Sequence, residues 1–272
     1  MKTWGIYKKI IPERFTKSYN LMKVLYTTRR ATIFLVSDCN NENKIIKITD
    51  KRTGPSVEIE LLKKLDHPQI IKFIDTEETT RYCTLVFDYY GKDFYEMSNQ
   101  YRYMKEDNFK KYFCQMVEIV KYLHSQNIIH VDLKLENFLL DKEGKLLLID
   151  FDLSKELKDK TEILSKRKVG SYGFISPEIL KSMTYSKKVD IWCLGIILYV
   201  CLIGCYPFEI RKHDSYIRNG IDNENYIFRH LEYNKDIKLS NEAKDLIKSL
   251  LKINPDDRPT IEQVIEHPWL IK

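Results

Sequence analysis

The sequence lacks the features that would send it outside the cell or into a membrane. No C-x-x-C pair occurs among its six cysteines, Cys39, Cys83, Cys114, Cys193, Cys201 and Cys205. Several of them sit in apolar stretches, where a thiol behaves as a small hydrophobe. The opening MKTWGIYKKIIPERF has no continuous apolar stretch of the kind a signal peptide needs. The longest apolar run, 191–205, is broken by Gly195 and Gly204 and is too short to cross a bilayer. An intracellular, cytoplasmic protein with no membrane segment is the expectation. A strong excess of one charge is absent too. The net +6 is spread as mixed Lys, Glu and Asp, which describes a solvated surface and gives no reason to expect nucleic acid as a partner. Repeats and low-complexity segments are absent.

What is present is enough apolar material, 43% of 272 residues, to bury a sizeable core. The length suits one large domain or two closely joined lobes, with nothing left over for a second module. From 20 to 90 the chain reads as short β runs at 33–37, 44–48, 70–75 and 83–88, with one helical stretch at 56–65. After Gly91 the period changes. Phe109, Phe113, Met116, Val120 and Leu123 fall on one helical face, and further helical patterns cover 188–201, 241–251 and 261–267.

Within this frame, His130-Val131-Asp132-Leu133-Lys134-Leu135-Glu136-Asn137 lies between the long amphipathic helix and a short apolar strand at 138–140. Asp150-Phe151-Asp152 follows thirteen residues after Asn137, at the end of an apolar strand at 146–149. Lys44-Ile45-Ile46-Lys47 and Glu58 come before these, and Ser176-Pro177-Glu178, Asp190, Arg258 and His267-Pro268-Trp269 come after. Each has a bland reading alone: an Asp at a strand end is commonly a turn residue, and a Lys–Glu pair is commonly a weak surface contact. Their order and spacing carry the signal. Together they resemble the eukaryotic protein kinase domain, with its V-A-I-K, H-R-D-L-K-x-x-N, D-F-G and A-P-E elements. Gly204-Cys205-Tyr206-Pro207-Phe208 and the segment 242–251 look most like the calcium/calmodulin-dependent group, although no EF-hand loop is present. Lys134 and Ser171 match the serine/threonine branch rather than the tyrosine branch.

The resemblance implies an α+β, bilobal fold. An N-terminal extension, 1–19, would precede a small antiparallel sheet lobe with one helix, 20–90, and a larger, mostly helical lobe, 91–272. It implies transfer of the γ-phosphoryl group of ATP, with Mg²⁺, to a protein hydroxyl. In that reading Asp132 takes the hydroxyl proton, Lys134 supplies a cation at the γ-phosphate, and Asn137 and Asp150 hold the metal. Lys47 holds the α- and β-phosphates with Glu58 as its partner. Leu25, Ile33, Ile45, Phe87, Asp88, Tyr89, Tyr90 and Leu139 surround the nucleotide between the lobes. Leu62, Phe73, His130 and Phe151 form an apolar stack above Asp190, which makes His130 structural rather than a base. Arg258 pairs with Glu178, and Asp93 and Glu136 face basic residues of a substrate. Nothing in the sequence specifies an oligomeric state.

The pattern is broken in five places. Tyr26, Thr28 and Ala31 stand where the family's phosphate loop has glycines, whose absence of side chains lets backbone N–H groups approach phosphate. Ile45 replaces a small alanine above the adenine. Asp152 replaces a glycine and is expected to be a tolerated turn residue. Glu58 follows only eleven positions after Lys47, and Gly54-Pro55-Ser56 predicts a late start to a truncated helix. Val131 replaces an arginine that grips activation-segment phosphate in related kinases, so activity should not depend on phosphorylation of Thr161 or Ser165, despite Lys166, Arg167 and Lys168 nearby. Two functions stay open: an active kinase with atypical nucleotide positioning, and a pseudokinase serving as scaffold or allosteric partner.

Overall fold

Side-chain alternation in strands explains the first unit. The computed structural model describes residues 4–53, 57–157, 163–164, 170–182, 184–208 and 236–271, and contacts divide the chain into Met1–Gly91 and Lys92–Lys272. After a short helix α1 (Glu13–Ser18) come β1 (Asn20–Thr27), β2 (Ala31–Ser37), β3 (Asn43–Asp50), helix α2 (Glu58–Lys64), β4 (Phe73–Glu78) and β5 (Tyr82–Asp88). The five strands form one antiparallel sheet in the order β1-β2-β3-β5-β4. Phe34, Ile46 and Val86 lie opposite one another in register, so their side chains share a face; Ile33, Lys47 and Leu85 share the other.

The face of Phe34 is fully covered. Trp4, Ile11, Phe15 and Leu21 join Phe34, Val36, Ile46, Ile48 and Val86 in one buried cluster. The rings of Trp4 and Tyr7 meet Phe34 edge-on at 5.5 and 5.1 Å. Arg14 pins the segment to β4: its guanidinium donates to both Asp75 oxygens at 3.0 and 3.1 Å, to Glu77 at 2.5 Å and to the Thr76 carbonyl at 2.7 Å.

Two strands depart most from expectation, and α2 is shorter than the stretch 56–65, as its expected late start implies. β1 was not among the expected strands; register shifts at Leu21/Lys23 and Val24/Tyr26 interrupt its alternation. β4 runs three residues later than 70–75, because Ile70 and Ile71 are buried anchors ahead of the strand. α2 begins at Glu58 and has seven residues; Gly54, Pro55 and Ser56 lie outside the described residues.

The second unit is helical. It begins with α3 (Phe94–Ser98), whose cap is the Asp93 carboxylate accepting from the Glu96 N–H at 2.8 Å. In α4 (Glu106–Ser125) the expected stripe Phe109, Phe113, Met116, Val120 and Leu123 is completely buried. Short strands β6 (Ile128–Ile129), β7 (Phe138–Leu140), β8 (Leu146–Leu148) and β9 (Lys155–Glu156) pair as β6-β9 and β7-β8. After α5 (Pro177–Ser182), helix α6 (Lys188–Ile203) is apolar on nearly every side and forms the middle of the unit. It stops at Gly204, whose φ of +81° and close approach to the Arg102 carbonyl oxygen leave room only for glycine.

Three further helices close the unit: α7 (Asn241–Leu250), α8 (Ile261–Ile265) and α9 (Pro268–Ile271). The stretch expected as one helix over 261–267 is α8 alone, opened by a Thr260/Gln263 capping box, with Pro268 starting α9. Glu106 ties these helices to α4, accepting from the Ser240 N–H at 2.6 Å, the Ser240 hydroxyl at 2.7 Å and Trp269 Nε1 at 2.8 Å. No helix of the described residues is long and apolar enough to cross a membrane.

Candidate active site

In the first unit, β3 holds Lys47 between Ile33 and Leu85 on the face away from the Trp4 cluster. Its Nζ lies 2.7 Å from Oε2 of Glu58, and the two side chains are 9% and 1% exposed. A pair this buried is expensive to break, since removing one partner strands the other charge. Ile45, two residues earlier, shares this face with Leu35 and Phe87; Ile33 and Phe87 are buried and Leu25 is exposed. The Asp88 carboxylate accepts from Lys44 Nζ at 2.9 Å, and hydrogen bonds from Lys44 to Glu42 and Asp88 hold the Lys44 amine well above the usual lysine range. Tyr89 is exposed and Tyr90 half-buried.

The turn joining β1 to β2 has a feature that sequence reading missed. The Thr28 N–H donates to the Ala31 carbonyl at 2.8 Å, and Thr28 Oγ1 accepts from the N–H groups of Arg30 and Ala31 at 3.1 and 3.0 Å. Two amides of the expected phosphate loop are therefore satisfied within the turn itself. A threonine followed by two or three polar residues is the local signal for such a turn.

In the second unit, the residues expected to form the catalytic loop converge. Asp132 Oδ1 accepts the Ser171 N–H at 2.7 Å, and Lys134 Nζ stands 3.1 Å from Asp132 Oδ2 while donating to the Ser171 hydroxyl at 2.7 Å. Asn137 Nδ2 donates to the Asp132 carbonyl at 2.8 Å, which leaves the Asn137 side-chain oxygen as the acceptor end. Leu139 sits in β7 opposite Leu147. Asp150 has φ +65°, a conformation Asp tolerates better than most residues. Asp152 lies within the turn closed by the Ser154 N–H donating to the Phe151 carbonyl at 3.1 Å, and its φ is not positive. The unusual backbone falls on Asp150 and makes no such demand on Asp152.

Buried groups hold this loop in place. The Asp190 carboxylate, in the first turn of α6, accepts from His124 Nε2 at 3.0 Å and from the N–H groups of His130 and Val131 at 3.0 and 2.9 Å. His130 Nε2 donates to the Ile149 carbonyl at 3.1 Å, and its ring meets Phe151 edge-on at 5.1 Å, so the imidazole is a structural post. Val131 has φ +73°, strained for a β-branched residue by about 1–3 kcal/mol. Its side chain is buried in a cluster with Ile129, Leu157, Ile175, Ile179, Tyr185 and Val189. Thr161, Ser165, Lys166, Arg167 and Lys168 lie outside the described residues.

The expected pairing of Arg258 with Glu178 is present as a fork, with both contacts at 2.7 Å. The remaining guanidinium donors meet the carbonyls of Lys252, Lys188 and Ile253, so a fully buried charge is satisfied. Glu136 is exposed. Tyr206, near it, has its hydroxyl pushed up to about 12 by burial and by the Glu136 charge. One Asp93 oxygen already caps α3.

The sheet lobe with its buried Lys–Glu pair and the helical lobe with its converged loop make up an α+β, bilobal architecture. The chain belongs to the protein kinase domain family, which it matches over residues 31–270. It is 34% identical over 244 residues to a calcium/calmodulin-dependent protein kinase, cmkA, of Emericella nidulans, covering 86% of this chain and 58% of that protein. It is 35% identical over 245 residues to the probable serine/threonine-protein kinase MARK-C of Dictyostelium discoideum, covering 85% and 30%. It is 33% identical over 260 residues to a probable serine/threonine-protein kinase, a KIN1 homolog, of Enterocytozoon bieneusi, covering 92% and 42%. The chain thus spans between about a third and three fifths of the length of these relatives.

Proposed function

We propose that this chain is a serine/threonine protein kinase that transfers the γ-phosphoryl group of ATP to protein hydroxyls. The observation that carries the reading is the Asp132–Lys134–Ser171 triangle. A carboxylate held by a backbone N–H and a lysine is oriented to accept a hydroxyl proton, and the lysine puts a positive charge where charge moves during transfer. The hydroxyl oxygen forms a bond to the γ-phosphorus, the bond to the β–γ bridging oxygen breaks, and the hydroxyl proton goes to Asp132. The products are a phosphoester and ADP. Asn137 and Asp150 offer hard oxygen donors of the kind Mg²⁺ prefers, and when bound the metal would neutralise phosphate charge. Lys47, oriented by Glu58, would hold the α- and β-phosphates. Ile33, Ile45, Phe87 and Leu139 would contact the adenine, with Leu25, Asp88 and Tyr90 at its edge. A reducing, cytoplasmic setting suits six cysteines that form no disulfide.

The Thr28 turn favours a second reading, a pseudokinase scaffold, because side chains and an internal hydrogen-bond network occupy the place of an open phosphate loop. A radiolabelled-ATP assay on purified protein with a basic peptide separates the two. Asp132→Asn should lower phosphoryl transfer by about 10²–10⁴-fold with the thermal midpoint unchanged. Equal, low incorporation by parent and variant, with no MgATP-dependent thermal shift, would leave the scaffold.

A further inference from the structure

The β1–β2 turn places Arg29 and Arg30 side by side at its tip. Arg29 is exposed and Arg30 half-buried, and among the described residues neither pairs with a carboxylate. Arg30 Nε is out of contact with solvent and has no hydrogen-bond partner, an expensive state for a guanidinium donor. The carboxylate next to it on the neighbouring strand is Asp50, whose N–H donates to the Arg30 carbonyl at 2.9 Å. That carboxylate is engaged by Arg52 at 2.7 Å and Arg81 at 3.4 Å, and the Arg52 hydrogen bonds hold its pKa far below the usual range. The turn therefore carries two uncompensated positive charges, while the Thr28 hydroxyl occupies the N–H groups of Arg30 and Ala31. Along β2 the tip lies three residues, roughly 10 Å, beyond the row that contains Lys47.

We infer that Arg29 and Arg30 bind the triphosphate of the nucleotide with their guanidinium groups, in place of the backbone amides that the Thr28 turn has taken out of use. The inference rests on the kinase reading above. Guanidinium forks suit phosphate oxygens and give charge-assisted hydrogen bonds about twice as strong as neutral ones. The exchange is a substitution of ligand type: side-chain donors on a closed turn replace main-chain donors on an open one.

Calorimetric titration of the full chain with ATP and with adenosine, in Mg²⁺, tests it. Arg29→Ala/Arg30→Ala should weaken ATP about tenfold or more and leave adenosine within about twofold. Arg29→Lys/Arg30→Lys should retain much of the ATP affinity. Adding Thr28→Gly to the alanine pair should regain part of it by releasing two amides. ATP affinity unchanged in the alanine pair, with the parent binding normally, overturns this inference alone. Equal losses for ATP and adenosine also overturn it, since they mark a damaged adenine site. A parent chain that binds neither ligand overturns the inference and the kinase reading together.

Discussion

The β1–β2 turn and the catalytic loop each place one side-chain oxygen group on two N–H groups, but they recruit it from opposite distances. Thr28 caps the N–H groups of Arg30 and Ala31, two and three residues away. Asp190 caps His130 and Val131 from 60 and 59 residues away. A local cap needs no tertiary structure and closes the turn upon itself, so the groups it satisfies cannot serve a ligand. A long-range cap ties its loop to a buried helix and leaves the next residue, Asp132, to face its chemistry. In the proposed kinase the reacting groups would be held by the fold, whereas phosphate holding would fall to the sequence of one turn.

Breaking the long-range cap should have the largest effect. Asp190→Ala leaves three buried donors without an acceptor, each worth about 1–3 kcal/mol, and should cost about 4 kcal/mol or more of stability in urea unfolding. An Asp190→Ala loss below about 1 kcal/mol would mean that the loop finds other acceptors. Breaking the local cap should matter far less. Thr28→Ala removes two hydrogen bonds at a surface turn, each worth about 0.5–1.5 kcal/mol, and hydrogen exchange should show faster exchange at the Arg30 and Ala31 amides with a smaller shift of the global midpoint than Asp190→Ala. The smallest effect belongs to the activation segment. Val131, with an apolar side chain packed against Leu157 and Ile175, offers no donor to a phosphate. Thr161→Ala/Ser165→Ala and phosphatase treatment should therefore leave turnover within about tenfold, or 1.4 kcal/mol. A larger loss would assign phosphate gripping to another basic group.

Much of this was legible in the sequence, and the exceptions have physical causes. The α4 stripe could be read because a helix against a core repeats its apolar residues every three or four positions. The Arg258–Glu178 fork could be anticipated because a charge within an apolar segment must find a partner. β1 was hidden by its two register shifts, which destroy the period of two. β4 was displaced because it is an edge strand, where Thr76, Glu77 and Glu78 can be polar, while the apolar pair Ile70-Ile71 before it is buried without being strand. The Thr28 cap is invisible to any reading that asks only which residues are glycine. The anchoring of Trp4, Ile11 and Phe15 has no single period to betray it, because Trp4 and Ile11 lie outside α1 and Pro12 separates Ile11 from Phe15.

That anchored segment has a consequence for association between molecules. The match to the kinase family starts at Ala31, yet Trp4, Ile11, Phe15 and Leu21 cover the sheet face made by Phe34, Val36, Ile46, Ile48 and Val86, and β1 covers the edge of β2. Without residues 4–27, this lobe would present an apolar sheet face beside an unpaired strand edge, the combination that drives edge-to-edge aggregation. The part of the lobe outside the family match covers the apolar face and replaces the regular edge of β2 with that of β1, whose register shifts disfavour pairing with a further copy.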